Sequence, residues 1–161
     1  MNKFDIRATI NDVPHRASVE PRLSLLDFLR DDIGLGGTHM GCEHGVCGAC
    51  SVLLDGVPIR ACLMLAVQAD GCRITTVEGL CNDDGTPGLL QDAFIEAHGM
   101  QCGYCTPGML ISAQALLAEN DEPTLAEIKD AIGGNLCRCT GYVQIIESIQ
   151  LAARRLREAA R

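Results

Sequence analysis

Ten cysteines in a chain of 161 residues constrain this sequence more than any other feature. They are unevenly spread. Cys42, Cys47 and Cys50 form one group, with Cys62 following. Cys102 and Cys105 form a second group, Cys137 and Cys139 a third, and Cys72 and Cys81 stand alone. In a secreted chain such a count reads as a disulfide framework; in a reducing compartment, clustered cysteines hold metal or do redox chemistry. The opening MNKFDIRATI runs straight into a strand-like pattern, with neither an apolar signal core nor a twin-arginine pair. The expectation is a cytoplasmic chain whose thiols are free to bind metal.

Charge removes other classes. Thirteen Lys and Arg against 21 Asp and Glu leave a net charge of −8. A nucleic-acid binder needs a basic patch to meet phosphates, and an anionic membrane attracts basic segments, so neither partner is expected. Hydrophobic residues make up 47% of the chain, enough to build a core. No apolar run approaches the length that spans a bilayer.

The hydrophobic period changes along the chain and divides it into residues 1–81 and 82–161. In the first part, Phe4, Ile6, Ala8 and Ile10 alternate with polar residues, the period of a half-buried strand. Asn11-Asp12 is a turn, Val13 to Val19 the returning strand, and Pro14 places that strand at an edge. Ser24 and Asp27 form a capping box for a helix carrying Leu25, Leu26, Phe28 and Leu29. Ser51 to Asp55 and Val57 to Arg60 form a hairpin around Asp55-Gly56, and Arg73 to Val77 is a further strand. Asn82 to Gly88 (NDDGTPG) is the linker. The second part is helical: Leu89 to Ala97, then a helix to Ala118 with Thr106 as N-cap and Pro107 in its first turn. Thr124 and Glu127 cap a third helix ending at Gly133-Gly134, and Tyr142 to Ala159 is a fourth with Val143, Ile146 and Ile149 on one stripe.

The spacing C-x4-C-x2-C of Cys42, Cys47 and Cys50 is the plant-type ferredoxin pattern for a 2Fe–2S cluster. Glycines in the loop let backbone N–H groups approach the sulfurs, which tunes the reduction potential. Cys62, Cys72 and Cys81 compete for the fourth place. His44 reads as a solvent-facing loop residue, with a Rieske-type ligand as the alternative. A structural zinc site, which pairs its cysteines as C-x2–4-C twice, fits this triplet less well. Cys102, Cys105, Cys137 and Cys139 form a C-x2-C…C-x-C set that is not a ferredoxin pattern; zinc is an alternative, though a C-x-C pair is awkward for a zinc ribbon, and Cys102–Cys105 as a thioredoxin-like redox pair is another, without the βαβ context of that motif. Cys105 lies just before a helix, whose positive N-terminal end favours an anionic group.

Three segments in order, GCEHGVCGAC (Gly41 to Cys50), QCGYCTPGM (Gln101 to Met109) and GNLCRCTGY (Gly134 to Tyr142), resemble the small iron–sulfur subunit of the xanthine oxidase family of molybdenum hydroxylases. That family includes the small subunits of quinoline 2-oxidoreductase and carbon monoxide dehydrogenase. The resemblance covers roughly residues 3 to 155. It implies an α+β chain: a β-grasp, plant-type ferredoxin domain over 1–81, then a four-helix bundle over 82–161. It implies one 2Fe–2S cluster on Cys42, Cys47, Cys50 and Cys62, and another on Cys102, Cys105, Cys137 and Cys139. Gln101 and Cys139 would lie near the molybdopterin of a large partner subunit. The first cluster would face the FAD of a medium subunit, the assembly being a dimer of heterotrimers. Cys105-Thr106-Pro107-Gly108 and Cys137-Arg138-Cys139-Thr140-Gly141-Tyr142 resemble the flavin-containing type rather than the C-Q-S-G and C-R-C-G-T-Y of flavin-free members.

The implied role is electron transfer from molybdenum through both clusters to FAD. It uses no catalytic residue of this chain, and the substrate lies with another subunit. An autonomous two-cluster ferredoxin and a zinc-stabilised adaptor are the rival readings. Cys72 and Cys81 match no ligand position and are expected as small buried residues.

Overall fold

The computed structural model describes residues 2–161. Strands β1 (Phe4–Ile10) and β2 (Val13–Val19) pair antiparallel in full register, Phe4 opposite Val19 and Ile10 opposite Val13. Asn11 and Asp12 both take positive φ, the conformation that lets a two-residue turn follow the strand twist. β3 (Ser51–Leu54) and β4 (Val57–Arg60) form a second hairpin over Asp55-Gly56, again with both residues at positive φ. β5 (Arg73–Thr75) lies between the hairpins, parallel to β1 and antiparallel to β3; it does not extend over Arg73 to Val77 as expected, because Val77 opens a 3-10 turn, Val77–Leu80. The sheet order is β2-β1-β5-β3-β4, so Pro14 does sit on an edge strand, where its missing N–H costs no ladder bond.

The first helix differs from the sequence expectation. A single α-turn, α1 (Leu25–Asp27), widens into a π-turn over Phe28–Asp32, with Ile33 N–H donating to the Phe28 carbonyl at 3.0 Å. Ser24 accepts from Asp27 N–H at 3.0 Å as expected of a cap. The wider turn turns Leu25, Leu26, Phe28 and Leu29 together onto the sheet, and all four are buried with Ile6, Ile10, Val52 and Ile74.

The second part holds α2 (Leu89–Glu96), α3 (Thr106–Glu119), α4 (Leu125–Ile132) and α5 (Val143–Ala159). Phe94, Met109, Ile128, Ile132, Ile145 and Ile149 form their common core. Two helix expectations are corrected. Cys105, not Thr106, holds the N-cap place of α3, and Thr106 is the first helical residue, with its side chain buried. The buried stripe of α5 is Ile145, Ser148, Ile149 and Ala152, while Val143 is 55% exposed. Tyr142 takes φ 69, so the helix begins one residue later than expected.

α3 is apolar nearly all round, which is the pattern of a helix buried on every side. Met109, Leu110 and Ala113 face the helical core, while Ile111 and Ala115 meet Leu53 of β3. The helix therefore joins the sheet to the other helices. In the segment Asn82 to Gly88, residues 82–87 form an exposed, hydrogen-bonded turn in which Asn82 N–H meets the Thr86 carbonyl at 3.0 Å, and Gly88 is buried.

Candidate metal centres

The loop from Gly41 to Cys50 wraps back on itself at positive-φ positions, Glu43, Gly45 and Gly48. Its fold points N–H groups inward, and Cys47 N–H donates to Cys42 Sγ at 3.4 Å. The N–H groups of His44 and Cys47 hold the Cys42 thiol well below its ordinary value, at about 6. Cys50, at the start of β3, is buried, and burial pushes its thiol up to about 11. Cys62 faces Cys50 from the turn after β4, where Ala61 N–H bonds the Cys50 carbonyl at 3.2 Å. His44 is exposed, as expected of a solvent-facing loop residue.

The second set is built from two loops that converge. Cys102 Sγ lies 3.6 Å from Cys139 Sγ, both exposed. Behind them, half-buried, Cys105 faces Cys137. Burial pushes the Cys105 thiol up to about 12. Burial also raises Cys137, but the Thr140 hydroxyl and the N–H groups of Thr140 and Cys139 outweigh it and leave the thiol lowered. Tyr142 holds this loop: its hydroxyl accepts from Cys137 N–H at 2.9 Å and donates to the Asn135 carbonyl at 3.1 Å.

Eight of the ten cysteines thus fall into four pairs, Cys42 with Cys47, Cys50 with Cys62, Cys102 with Cys139, and Cys105 with Cys137. Two pairs per set is the donor arrangement for two bridged irons, each taking two thiolates. The residues present fit a 2Fe–2S cluster in each set.

Cys72 and Cys81 lie apart from both sets. Cys72 is half-buried near Asp55 and Asp70, and burial together with those carboxylates raises its thiol. Cys81 is exposed beside Gln91, so the expectation of a buried Cys81 is corrected: it lies on the surface beyond both cores.

The two loops touch. Leu136 N–H, one residue before Cys137, donates to the Cys47 carbonyl at 2.9 Å. Arg60, two residues before Cys62, donates to Ser51 Oγ at 2.6 Å and to the Gly134 carbonyl at 2.7 Å. Asn135, 1% exposed, donates to the Gly108 carbonyl and to Ser112. His39 stacks on Tyr104, and its Nδ1 lies 2.8 Å from the Tyr104 carbonyl. Sequence reasoning missed Arg60, Asn135, Thr140 and Tyr142 as a group. They act through contacts far apart in the chain, and only their closeness to the cysteine motifs marked them.

Comparison with known proteins agrees with the geometry. Residues 8–71 match the 2Fe-2S iron-sulfur cluster binding domain, and residues 76–150 match the [2Fe-2S] binding domain. The chain is 49% identical over 155 residues to the nicotinate dehydrogenase small FeS subunit of Eubacterium barkeri, covering 96% of this chain and 98% of that one. It is 52% identical over 153 residues to the caffeine dehydrogenase subunit gamma of Pseudomonas sp. strain CBB1, covering 93% and 91%. Its fold superposes on quinoline 2-oxidoreductase from Pseudomonas putida 86 with a TM-score of 0.93 at 50% identity, covering 98% of each chain. The α+β, ferredoxin-like fold and two 2Fe–2S domains are therefore shared with electron-transfer subunits whose molybdenum site lies on another subunit. The chain belongs to the small iron–sulfur subunits of the xanthine oxidase family of molybdenum hydroxylases.

Proposed function

We propose that Cys42, Cys47, Cys50 and Cys62 hold one 2Fe–2S cluster, and Cys102, Cys105, Cys137 and Cys139 the other. The pairing of their sulfurs two by two carries this reading. When bound, the clusters supply one-electron carriage between a partner's molybdenum centre and FAD on a second partner. The chain's own residues hold, orient and shield. The backbone N–H groups around Cys42 stabilise thiolate charge, and burial around Cys50 and Cys105 keeps water from the inner sulfurs. The hydrogen bond from Leu136 N–H to the Cys47 carbonyl links the backbones of the two sets.

The exposed pair Cys102 and Cys139, with exposed Gln101 beside it, is the end that meets the molybdopterin of the large subunit. Exposed Val46 and Leu63 rim the first loop, which faces the FAD subunit. The chain divides near residue 81 into a β-grasp domain and a four-helix bundle, in a cytoplasmic dimer of heterotrimers. Among the described residues no helix is long and apolar enough to cross a membrane. Relatives named for nicotinate and caffeine support an N-heterocycle as the substrate of the whole complex.

Metal analysis of the complex purified from its host tests this. About four irons per chain with about one molybdenum is the expected result. Iron without molybdenum favours an autonomous ferredoxin, and zinc in place of iron ends the electron-transfer assignment of these cysteines. Cys102→Ser is expected to lower iron to about two per chain and to stop substrate-driven reduction of the first cluster.

A further inference from the structure

We propose that Thr140 sets the reduction potential of the second cluster, by donating its hydroxyl proton to the Cys137 sulfur. The inference rests on the ligand assignment above. Thr140 Oγ1 lies 3.2 Å from Cys137 Sγ and accepts Tyr142 N–H at 3.0 Å. An iron-bound thiolate has no proton to give, so the hydroxyl is the donor in this contact. The residue is 9% exposed, and little water competes for the bond.

The geometry is held from both sides. Cys137 N–H is engaged by the Tyr142 hydroxyl, and Tyr142 N–H by Thr140, so neither partner can swing away alone. The other candidate ligands differ. Cys42 takes its hydrogen bonds from backbone N–H groups rather than from a side chain. Cys102 and Cys139 face each other at the surface. Among the described residues Cys137 is the one candidate ligand with a side-chain hydroxyl at its sulfur.

Reduction brings one electron from the partner's molybdenum centre. No bond breaks, and the proton stays on Thr140 Oγ1. A donor at sulfur stabilises the added negative charge more than it stabilises the oxidised state, so it raises the potential. The Thr140 hydroxyl thereby favours acceptance of electrons at the cluster nearer the molybdenum.

The test is a redox titration of the whole purified complex, following the EPR signals of both clusters. Thr140→Val is expected to keep about four irons per chain, to lower the second midpoint and to leave the first unmoved. Thr140→Ser, which keeps the donor, is expected to restore the native midpoint. An iron-replete Thr140→Val with an unshifted second midpoint, or with both midpoints shifted together, overturns the proposal. If Thr140→Val loses iron, the native complex decides by pulsed EPR of the reduced second cluster. A strongly coupled proton that exchanges on mixing with D2O, faster than buried N–H groups do, is the expected signature, and its absence overturns the proposal. A native complex with about two irons per chain instead overturns the ligand assignment on which it stands.

Discussion

At the scale of single residues, what matters is which cysteines face one another. Ligand spacing marked Cys42, Cys47 and Cys50 before any fold was known, because loops that clamp a cluster recur in a few short patterns, whereas Cys102, Cys105, Cys137 and Cys139 follow no such pattern and are grouped by the family resemblance. The fourth member of the first set stayed open on local grounds, since Cys62, Cys72 and Cys81 all follow the triplet. The β3–β4 hairpin places Cys62 opposite Cys50 and leaves the other two elsewhere. Cys72→Ser and Cys81→Ser are therefore expected to keep the full iron content and both EPR signals. Loss of either signal would return one of them to the ligand set. Thr140 and Tyr142 were harder to read. A hydroxyl a few residues past a cysteine pair is common, and its direction depends on the left-handed turn at Tyr142.

At the scale of elements, caps were legible and faces less so. Thr124 and Glu127 form the reciprocal cap of α4: Glu127 N–H reaches Thr124 Oγ1 at 3.3 Å, and Thr124 N–H reaches the Glu127 carboxylate at 2.7 Å. Thr124→Ala is expected to lower the Tm by about 2–4 °C at pH 7. The Thr124 side chain, then its N–H, holds the Glu127 carboxyl below its ordinary 4.5. A depressed carboxyl stabilises the fold fully above 4.5, and loses that contribution as pH falls through its folded value. The Tm gap between native and Thr124→Ala chains should therefore narrow on acidification below pH 4.5, as scanning calorimetry across pH would show. In α5 the corrected stripe makes a second prediction. Ile149→Ala should cost about 2–5 kcal/mol in denaturant unfolding, and Val143→Ala on the exposed side much less. Period alone left the stripe ambiguous because Val143, Ile145, Ile146 and Ile149 crowd about two turns of helix.

At the scale of the whole molecule, two cores are joined along one seam, and glycine makes the seam possible. Gly48 sits at φ +75 with Gly134 and Asn135 against it, and a Cβ there would lie 2.5 Å from the Gly134 carbonyl oxygen. A Cβ on Gly108 would press into the Gly48 carbonyl from α3. Gly108→Ala is expected to cost about 1–3 kcal/mol and to push the loops apart. Both clusters should remain, while the EPR splitting between the two reduced clusters weakens; an unchanged splitting would show that the seam does not set their distance. Period and turn residues by themselves determined both hairpins, the place of the fifth strand though not its end, and most helix ends, and motif spacing determined the cysteine groups. These are local properties, carried by side-chain alternation and by backbone conformations that few residues adopt. Tertiary structure alone decided the partner of Cys50, the Cys102–Cys139 and Cys105–Cys137 pairs, the surface position of Cys81 and the contact of Leu136 with Cys47. These depend on how segments apart in sequence pack against one another, which no local preference encodes.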